Sequence, residues 1–269
     1  MPTRSTSGSV QSFLDLVGVA VPILQAPMAG AATPRLAAAV SGAGGLGGLG
    51  LGALDVGEAR RQIRETRALG AERLNVNFFV HAAGPRDRAR EGVALAGAEL
   101  VARRLGVAGA GAVDAPFDRF GPESLEIVLD ERPAVVTFNF GVPNAEAIDA
   151  LHHHDIVVGV SATTVDEALD VERAGCDFVI AQGAEAGGHR GQFDPRMDRT
   201  MVGTFALVPQ IADAVSIPVV AAGGIADGRG VVAAHALGAA AVQVGTAFLV
   251  CEEAAVGRAH RRAVLESSG

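Results

Sequence analysis

No lysine, tyrosine or tryptophan occurs anywhere in the 269 residues, so all 22 cationic side chains are arginines. Without lysine there is no Schiff-base nucleophile, no anchor for pyridoxal phosphate and no Walker-A phosphate contact. Without tyrosine and tryptophan, any phenolic acid or aromatic sandwich around a ligand has to come from another residue type. Cysteine is nearly absent too. Cys176 and Cys251 make no disulfide framework and fit a reducing compartment, which points to the cytoplasm. Each reads as a small buried apolar residue. No stretch approaches the roughly 20 uninterrupted apolar residues of a membrane helix. Met1 to Val10 is polar and lacks a signal-peptide pattern. It reads as disordered, part of a lead-in over residues 1–20. The net charge of −8 argues against nucleic acid or an anionic membrane as partner.

What is present is apolar and glycine-rich. Hydrophobic residues make up 49% of the chain, and its mean hydropathy is +0.32. The 35 glycines follow no period, which excludes collagen. Short apolar runs alternate with helical patterns. The strands are expected at Ile23–Ala26, Gly45–Leu49, Leu74–Phe79, Ala134–Phe138, Ile156–Val160, Phe178–Ala181, Pro218–Ala222 and Ala241–Gly245. The helices between and after them are expected at Pro34–Ser41, Val56–Leu69, Asp87–Leu105, Glu123–Glu131, Asn144–His153, Val165–Ala174, Ala206–Val215 and Gly228–Leu237, with a last one at Glu252–Leu265. Continuous Val/Ile runs mean strands buried on both faces, hence a parallel sheet covered by helices. Helix starts are well marked, as at Thr33-Pro34 and at Thr164 followed by Asp166 and Glu167. Eight such strands imply a single-domain α/β fold, a (β/α)8 TIM barrel over residues 21–269. An open doubly wound sheet is the alternative. The Gly/Ala-rich stretch Gly106–Gly121 reads as a lid or a long connection.

The segment Ala181-Gln182-Gly183-Ala184-Glu185-Ala186-Gly187-Gly188-His189-Arg190-Gly191 follows a buried strand and presents one histidine among small residues. Glycines such as Gly187 and Gly188 let backbone approach a ligand closely. His189 is the side chain able to exchange a proton near neutral pH, which makes it the catalytic candidate. The bland reading is a glycine turn with a solvent-facing histidine. By contrast, Gly42-Ala43-Gly44-Gly45-Leu46-Gly47 satisfies the dinucleotide pattern but has a helix before it and a strand after it, the reverse of what that motif needs. A helix cap and a close-packed strand are expected there. Phosphate is better placed late in the chain. Gly223 and Gly224 follow the seventh strand, and Gln243-Val244-Gly245-Thr246 closes the eighth. Turns after strands 7 and 8, with a helix N-terminus, form the common barrel phosphate site and need no lysine.

His152-His153-His154 looks like a metal cluster, but adjacent residues point in different directions. A solvated helix end is expected, and no metal site. His81 follows the third strand and can face the site. His235 and His260 read as helix-surface or packing residues.

Taken together, Pro22 to Gly30, Gly44 to Gly47, Ala181 to Gly191, Ala221 to Gly230 and Gln243 to Leu249 resemble the nitronate monooxygenases, formerly called 2-nitropropane dioxygenases. The resemblance runs from about Pro22 to Ala255 and keeps the family's motif order. It implies an FMN-binding barrel. Ala26, Pro27 and Met28 would lie beside the flavin ring. An asparagine of the third strand, Asn75 or Asn77, with Asn77 preferred, would make a polar contact to it. Gln182 would end the sixth strand under the ring. Gly223, Gly224, Gly245 and Thr246, with Gln243, match the phosphate end. His189 takes the place of the family's active-site histidine. The implied reaction uses O2 to convert a small nitronate or nitroalkane into a carbonyl compound and nitrite. Members usually continue with further helices, and some use tyrosines and a lysine there, which implies a more open substrate pocket in this chain. FMN-dependent enoyl-thioester reductases, which need NAD(P)H, look similar and are the alternative. A catalytically silent phosphate-binding barrel is the third reading. Many barrels associate, so a homo-oligomer is compatible with the sequence.

Overall fold

The computed structural model describes residues 6–81, 87–109, 120–194 and 201–267. Most of the expected loop Gly106–Gly121, and parts of 80–86 and 192–203, lie outside them. Eight strands run β1 (Ile23–Gln25), β2 (Gly47–Gly50), β3 (Leu74–Phe79), β4 (Val135–Asn139), β5 (Val157–Ala162), β6 (Phe178–Gln182), β7 (Val219–Ala222) and β8 (Ala241–Val244). The helices are α1 (Thr6–Val17), α2 (Pro34–Gly42), α3 (Val56–Ala68), α4 (Arg88–Leu105), α5 (Pro122–Glu131), α6 (Ala145–His153), α7 (Val165–Arg173), α8 (Thr204–Ala214), α9 (Gly228–Ala236) and α10 (Arg258–Glu266). Every strand pairing is parallel, from β2 through β8 and back to β1.

The ring closes between β1 and β2. Leu24 bridges Leu46, with Gln25 N–H donating to Leu46 O at 2.9 Å and Leu46 N–H to Ile23 O at 3.0 Å. The next donor, Gly48 N–H, turns instead to the Gln25 side-chain oxygen at 3.0 Å. Glycine is required at this seam. A Cβ on Gly48 would sit 2.6 Å from Gln25 O, and one on Gly47 would overlap the Ala37 carbonyl of α2. The G-x-G-x-x-G stretch is therefore a tight helix-to-strand junction: Gly44 (φ 88°) follows α2 and Gly47 lets it pack onto β2. With the sheet closed, the doubly wound alternative is excluded.

Strand alternation separates two cores. Val76, Phe78, Val136, Phe138, Val158, Val160, Val179, Ala181, Val242 and Val244 face the helices. Leu24, Leu46, Val135, Phe178, Ile180, Val220 and Ala241 come from strands all round the ring, so they fill the barrel interior. Gly159 makes room for the Phe178 ring, which a Cβ there would strike.

Helix α1 begins at Thr6, inside the Met1–Val10 stretch expected to be disordered, of which residues 1–5 lie outside the described residues. Phe13 and Val17, one helical turn apart, are fully buried in the interior cluster, and Phe13 stacks edge-on against Phe178 at 5.4 Å. A barrel needs its base closed against water, and this short helix does so. The last helix is also shorter than expected: Cys251 to Gly257 is irregular and α10 starts at Arg258.

Candidate active site

The barrel interior changes character from base to mouth. Because Val76, Val136, Phe138, Val160, Ala181, Val242 and Val244 face outward, the residues between them, Asn75, Asn77, Thr137, Asn139, Ser161, Gln182 and Gln243, face inward. Asn77, Asn139, Ser161, Gln182 and Gln243 lie toward the C-terminal ends of their strands, where barrel sites form, while Thr137 is at mid-strand and Asn75 near the start of β3. Several are joined. Asn77 Nδ2 donates to Thr137 O and Oγ1, both at 3.1 Å, and Thr137 Oγ1 donates to Asn75 Oδ1 at 3.1 Å. Ser161 Oγ donates to Asn139 Oδ1 at 2.9 Å.

Two atoms stay outside the network. Asn75 Nδ2 and Gln243 Oε1 are buried and have no hydrogen-bond partner among the described residues. A buried amide group left unmade costs about 1–3 kcal/mol, so an inward-facing donor and acceptor in this state mark a polar ligand's place. The Asn77 amide N–H groups are held by β4, whereas Asn75 accepts from Thr137 and keeps its own donor unpaired.

The β6 loop carries His189 across the mouth. Gln182 Nε2 donates to His189 O at 3.0 Å, and Gln182 Oε1 accepts from Gly191 N–H at 2.7 Å. Arg190 turns back under the loop, its Nη1 donating to Gln182 O and Gly183 O, both at 2.7 Å. Burial draws Arg190 below the usual guanidinium range, against the pull of Glu167 and Glu185. Buried Glu167 fixes the far end, its carboxylate accepting from Thr163 N–H and hydroxyl and from Phe193 N–H. The His189 imidazole is exposed. It packs edge-on against Phe79 and Phe140, with centroids 5.9 and 5.8 Å away, and His81 reaches the other side of Phe140 at 6.2 Å.

The β7 and β8 turns meet this loop. Gly223 (φ 112°) and Gly224 (φ 69°) adopt backbone that glycine alone tolerates well. Their N–H groups donate to no acceptor among the described residues. A Cβ on Gly223 would lie 2.8 Å from Ala186 N, and one on Gly187 would lie 3.7 Å from Thr246 Oγ1. Glu185 joins the loop to α8 and to the turn. Its Oε2 accepts from Thr204 N–H at 2.8 Å and Thr204 Oγ1 at 2.9 Å, and Thr204 Oγ1 also lies 2.9 Å from Gly223 O. Burial would raise the Glu185 carboxyl, but these donors, its own N–H and Arg190 outweigh that and hold it below the usual carboxylate range.

The N-terminus of α9, which follows the β7 turn, carries a carboxylate cap, and Thr246 begins a short 3-10 helix, Thr246–Val250. Asp227 caps α9, its Oδ1 accepting from Arg229 N–H at 2.9 Å and Gly230 N–H at 3.3 Å. That carboxylate already takes the Arg229 and Gly230 N–H donors, whereas the N–H groups of Gly223 and Gly224 are left open. Ala26 and Met28 border the same place: a Cβ on Gly245 would be 3.5 Å from Ala26 Cβ and 3.8 Å from Met28 Sδ. Pro27 lies against β2, its N 3.6 Å from where a Cβ on Gly48 would be. A separate cleft of about 560 Å³ opens between α2, α3 and Glu252–Ala255, and its lining holds none of the inward polar residues.

His152, His154 and His235 each meet a different oxygen, and the His153 ring meets the His154 ring edge-on at 5.9 Å. His152 Nε2 lies 3.0 Å from Asp177 Oδ2, while His154 Nδ1 lies 2.9 Å from Ala150 O. His235 Nδ1 lies 2.8 Å from Ala239 O at the end of α9. No group of three or more metal-binding side chains gathers among the described residues, and no helix there is long and apolar enough to cross a membrane.

Sequence reasoning passed over Asn139, Thr137, Ser161, Glu185, Arg190, Thr204 and Phe140. A signal for the inward polar layer existed in the alternation Asn75-Val76-Asn77 and Thr137-Phe138-Asn139, polar residues two apart inside apolar strands.

A family described as nitronate monooxygenase matches residues 11–268. The chain is 46% identical over 257 residues to a nitronate monooxygenase of Paraburkholderia phytofirmans, covering 95% of this chain and 70% of that relative. Among solved structures, nitroalkane oxidase from Streptomyces ansochromogenes superposes with a TM-score of 0.85 at 41% identity, covering 94% of this chain and 72% of the other. FabK from Thermotoga maritima superposes with a TM-score of 0.73 at 35% identity, covering 96% and 68%.

Proposed function

The chain belongs to the nitronate monooxygenase family, and on that premise we propose that it oxidises small alkyl nitronates or nitroalkanes with O2, holding FMN in the barrel mouth and using His189 as its catalytic residue. The observation that carries this reading is the pairing of an inward polar layer, with an unpartnered donor and acceptor at Asn75 and Gln243, and an imidazole pinned above the same mouth.

The residues fit a flavin mononucleotide. Its ring offers carbonyl acceptors and an imide N–H donor, the complement of Asn75 Nδ2 and Gln243 Oε1. Its phosphate would be held by the N–H groups of Gly223 and Gly224 and by Thr246, with Ala26, Met28, Gly187 and Gly245 giving the close approach. When bound, the flavin supplies the electron-transfer and O2 chemistry.

The chain's own part concerns charge and protons. A nitronate is an anion, and a proton held on the His189 imidazole stabilises its oxygens. With a neutral nitroalkane, the same ring takes the proton from the carbon bearing the nitro group, as a general base. Gln182 and Arg190 are positioning residues, since they hold the backbone that carries His189. Phe79 and Phe140 exclude water from one side of the ring. The two free cysteines suit work in the cytoplasm.

The test is nitrite release and O2 uptake by the FMN-loaded protein with ethyl nitronate. The reading expects both, and a fall of about 10²–10⁴-fold in His189→Asn at unchanged FMN content. FMN-loaded protein that forms no nitrite, and whose flavin is reduced by NADPH and reoxidised by an enoyl thioester, would replace it with the reductase reading.

A further inference from the structure

We propose that Phe140 is a specificity-determining residue: its ring is the wall on which the substrate's carbon chain lies, so the site favours nitronates with a longer apolar alkyl substituent. This rests on the nitronate reading above.

Phe140 directly follows β4 and stands at φ 74°, one of three non-glycine residues with positive φ among those described. A bulky aromatic in that region is strained, and such strain persists only where the surroundings over-determine it. Here they do. Asn139 O accepts from Val80 N–H at 2.9 Å, and Gly141 (φ 154°) is pressed so close to the Val80 carbonyl that a Cβ would overlap it. The backbone on both sides of Phe140 is thus tied to the end of β3, and the side chain is aimed over the mouth.

Its surroundings form a graded apolar surface beside the imidazole. Phe79 is buried, packed over Gly52, where a Cβ would come 2.8 Å from the ring. Phe140 lies 5.0 Å from Phe79, centroid to centroid, and is half-buried. His189, 5.8 Å from Phe140, is exposed. A partly open phenyl ring and a proton-handling ring therefore meet edge to face, nearly perpendicular. A nitronate has the matching polarity, an anionic head and a hydrocarbon tail. With the head at His189, the second and later carbons reach Phe140.

Burying one methylene on such a wall is worth about fourfold in kcat/KM. In the FMN-loaded wild type, kcat/KM is expected to rise along the nitronate series from nitroethane to 1-nitrohexane until the wall is covered. In Phe140→Ala the ratio of 1-nitrohexane to nitroethane should fall about tenfold or more, carried by KM. Phe140→Gly should give the same flattened series and melt no lower than Phe140→Ala, because it relieves the positive φ. The second readout needs no turnover: dissociation constants of the neutral nitroalkanes, from the change in flavin absorbance, should lose their chain-length dependence in both variants. Parallel chain-length series in folded wild type and both variants would overturn the wall. Wild type that forms no nitrite from any member would overturn the nitronate reading instead, and the binding series would still decide on Phe140.

Discussion

Gln182 clamps the backbone on both sides of Arg190, directly after His189, donating to the His189 carbonyl at 3.0 Å and accepting from the Gly191 N–H at 2.7 Å. The catalytic candidate therefore sits on a loop whose backbone is fixed by the last residue of β6. A loop rich in small residues gains rigidity from this side chain and from the Arg190 bonds beneath it.

Gln182→Glu keeps the shape but replaces a donor with an anion facing the His189 carbonyl. The lost bond to the exposed His189 carbonyl is worth about 0.5–1.5 kcal/mol, so the melting temperature should fall by a few degrees. Nitrite release should fall mainly through kcat, about tenfold or more, since misplacement of a reacting group acts on the chemical step. A variant with the same melting loss but an unshifted kcat would make the clamp purely structural.

Glu185 gives a pH prediction. Its carboxyl lies below the usual carboxylate range when folded. A depressed group contributes stability above its unfolded pKa, about 4.3, and loses it as pH falls through the lower folded value. The melting-temperature difference between wild type and Glu185→Gln should hold steady from about pH 5.5 to 8 and shrink below about pH 4. The effect is small, because Glu185 is exposed. A difference that grows toward low pH would contradict the Glu185–Thr204 link.

Cys176 and Cys251 should separate under a thiol reagent. Burial, with help from neighbouring Asp177, pushes the Cys176 thiol up to about 12. It has almost no thiolate at pH 8 and no access. Half-buried Cys251 should label first in the native state, and both should label in denaturant. Rapid native labelling of Cys176 would contradict the packing of α7 and β6 around it.

Gly47→Ala tests the dinucleotide look-alike. The new Cβ would press on the Ala37 carbonyl of α2, a backbone atom that cannot swing aside. Overpacking of this kind costs about 1–3 kcal/mol or more. Thermal melting should show that loss, while FMN affinity of the folded protein stays within about twofold, because the turn lies at the α2–β2 junction and not at the β7–β8 end. A selective loss of FMN would move the phosphate site to this motif.

The barrel was legible because most strands are dominated by apolar residues and several helices carry a start signal, such as Thr33-Pro34 and Thr164. Helix α1 was missed because its apolar residues, among them the inward Phe13, Leu16 and Val17, gather in its second half behind a polar start. His189 stood out through the small residues around it. What holds it did not, because Glu185 reaches Thr204 and Glu167 reaches Phe193 through contacts between distant parts of the chain. The cap at Asp227 was readable from Asp227-Gly228 and was passed over. Nothing in a sequence marks Phe140 for a left-handed backbone, since that conformation is imposed by its neighbours at Val80 and Gly141.

The central claim is that the β7 and β8 turns grip a flavin's terminal phosphate so that its ring lies beneath His189. The most direct measurement compares the binding of FMN and riboflavin to flavin-free protein by fluorescence quenching. The account predicts FMN tighter by about 100-fold or more, the scale of two charge-assisted hydrogen bonds. It also predicts that Gly224→Ala erodes this preference, by straining the left-handed turn that presents the N–H donors. Equal affinity for the two flavins, or none for either, would contradict it.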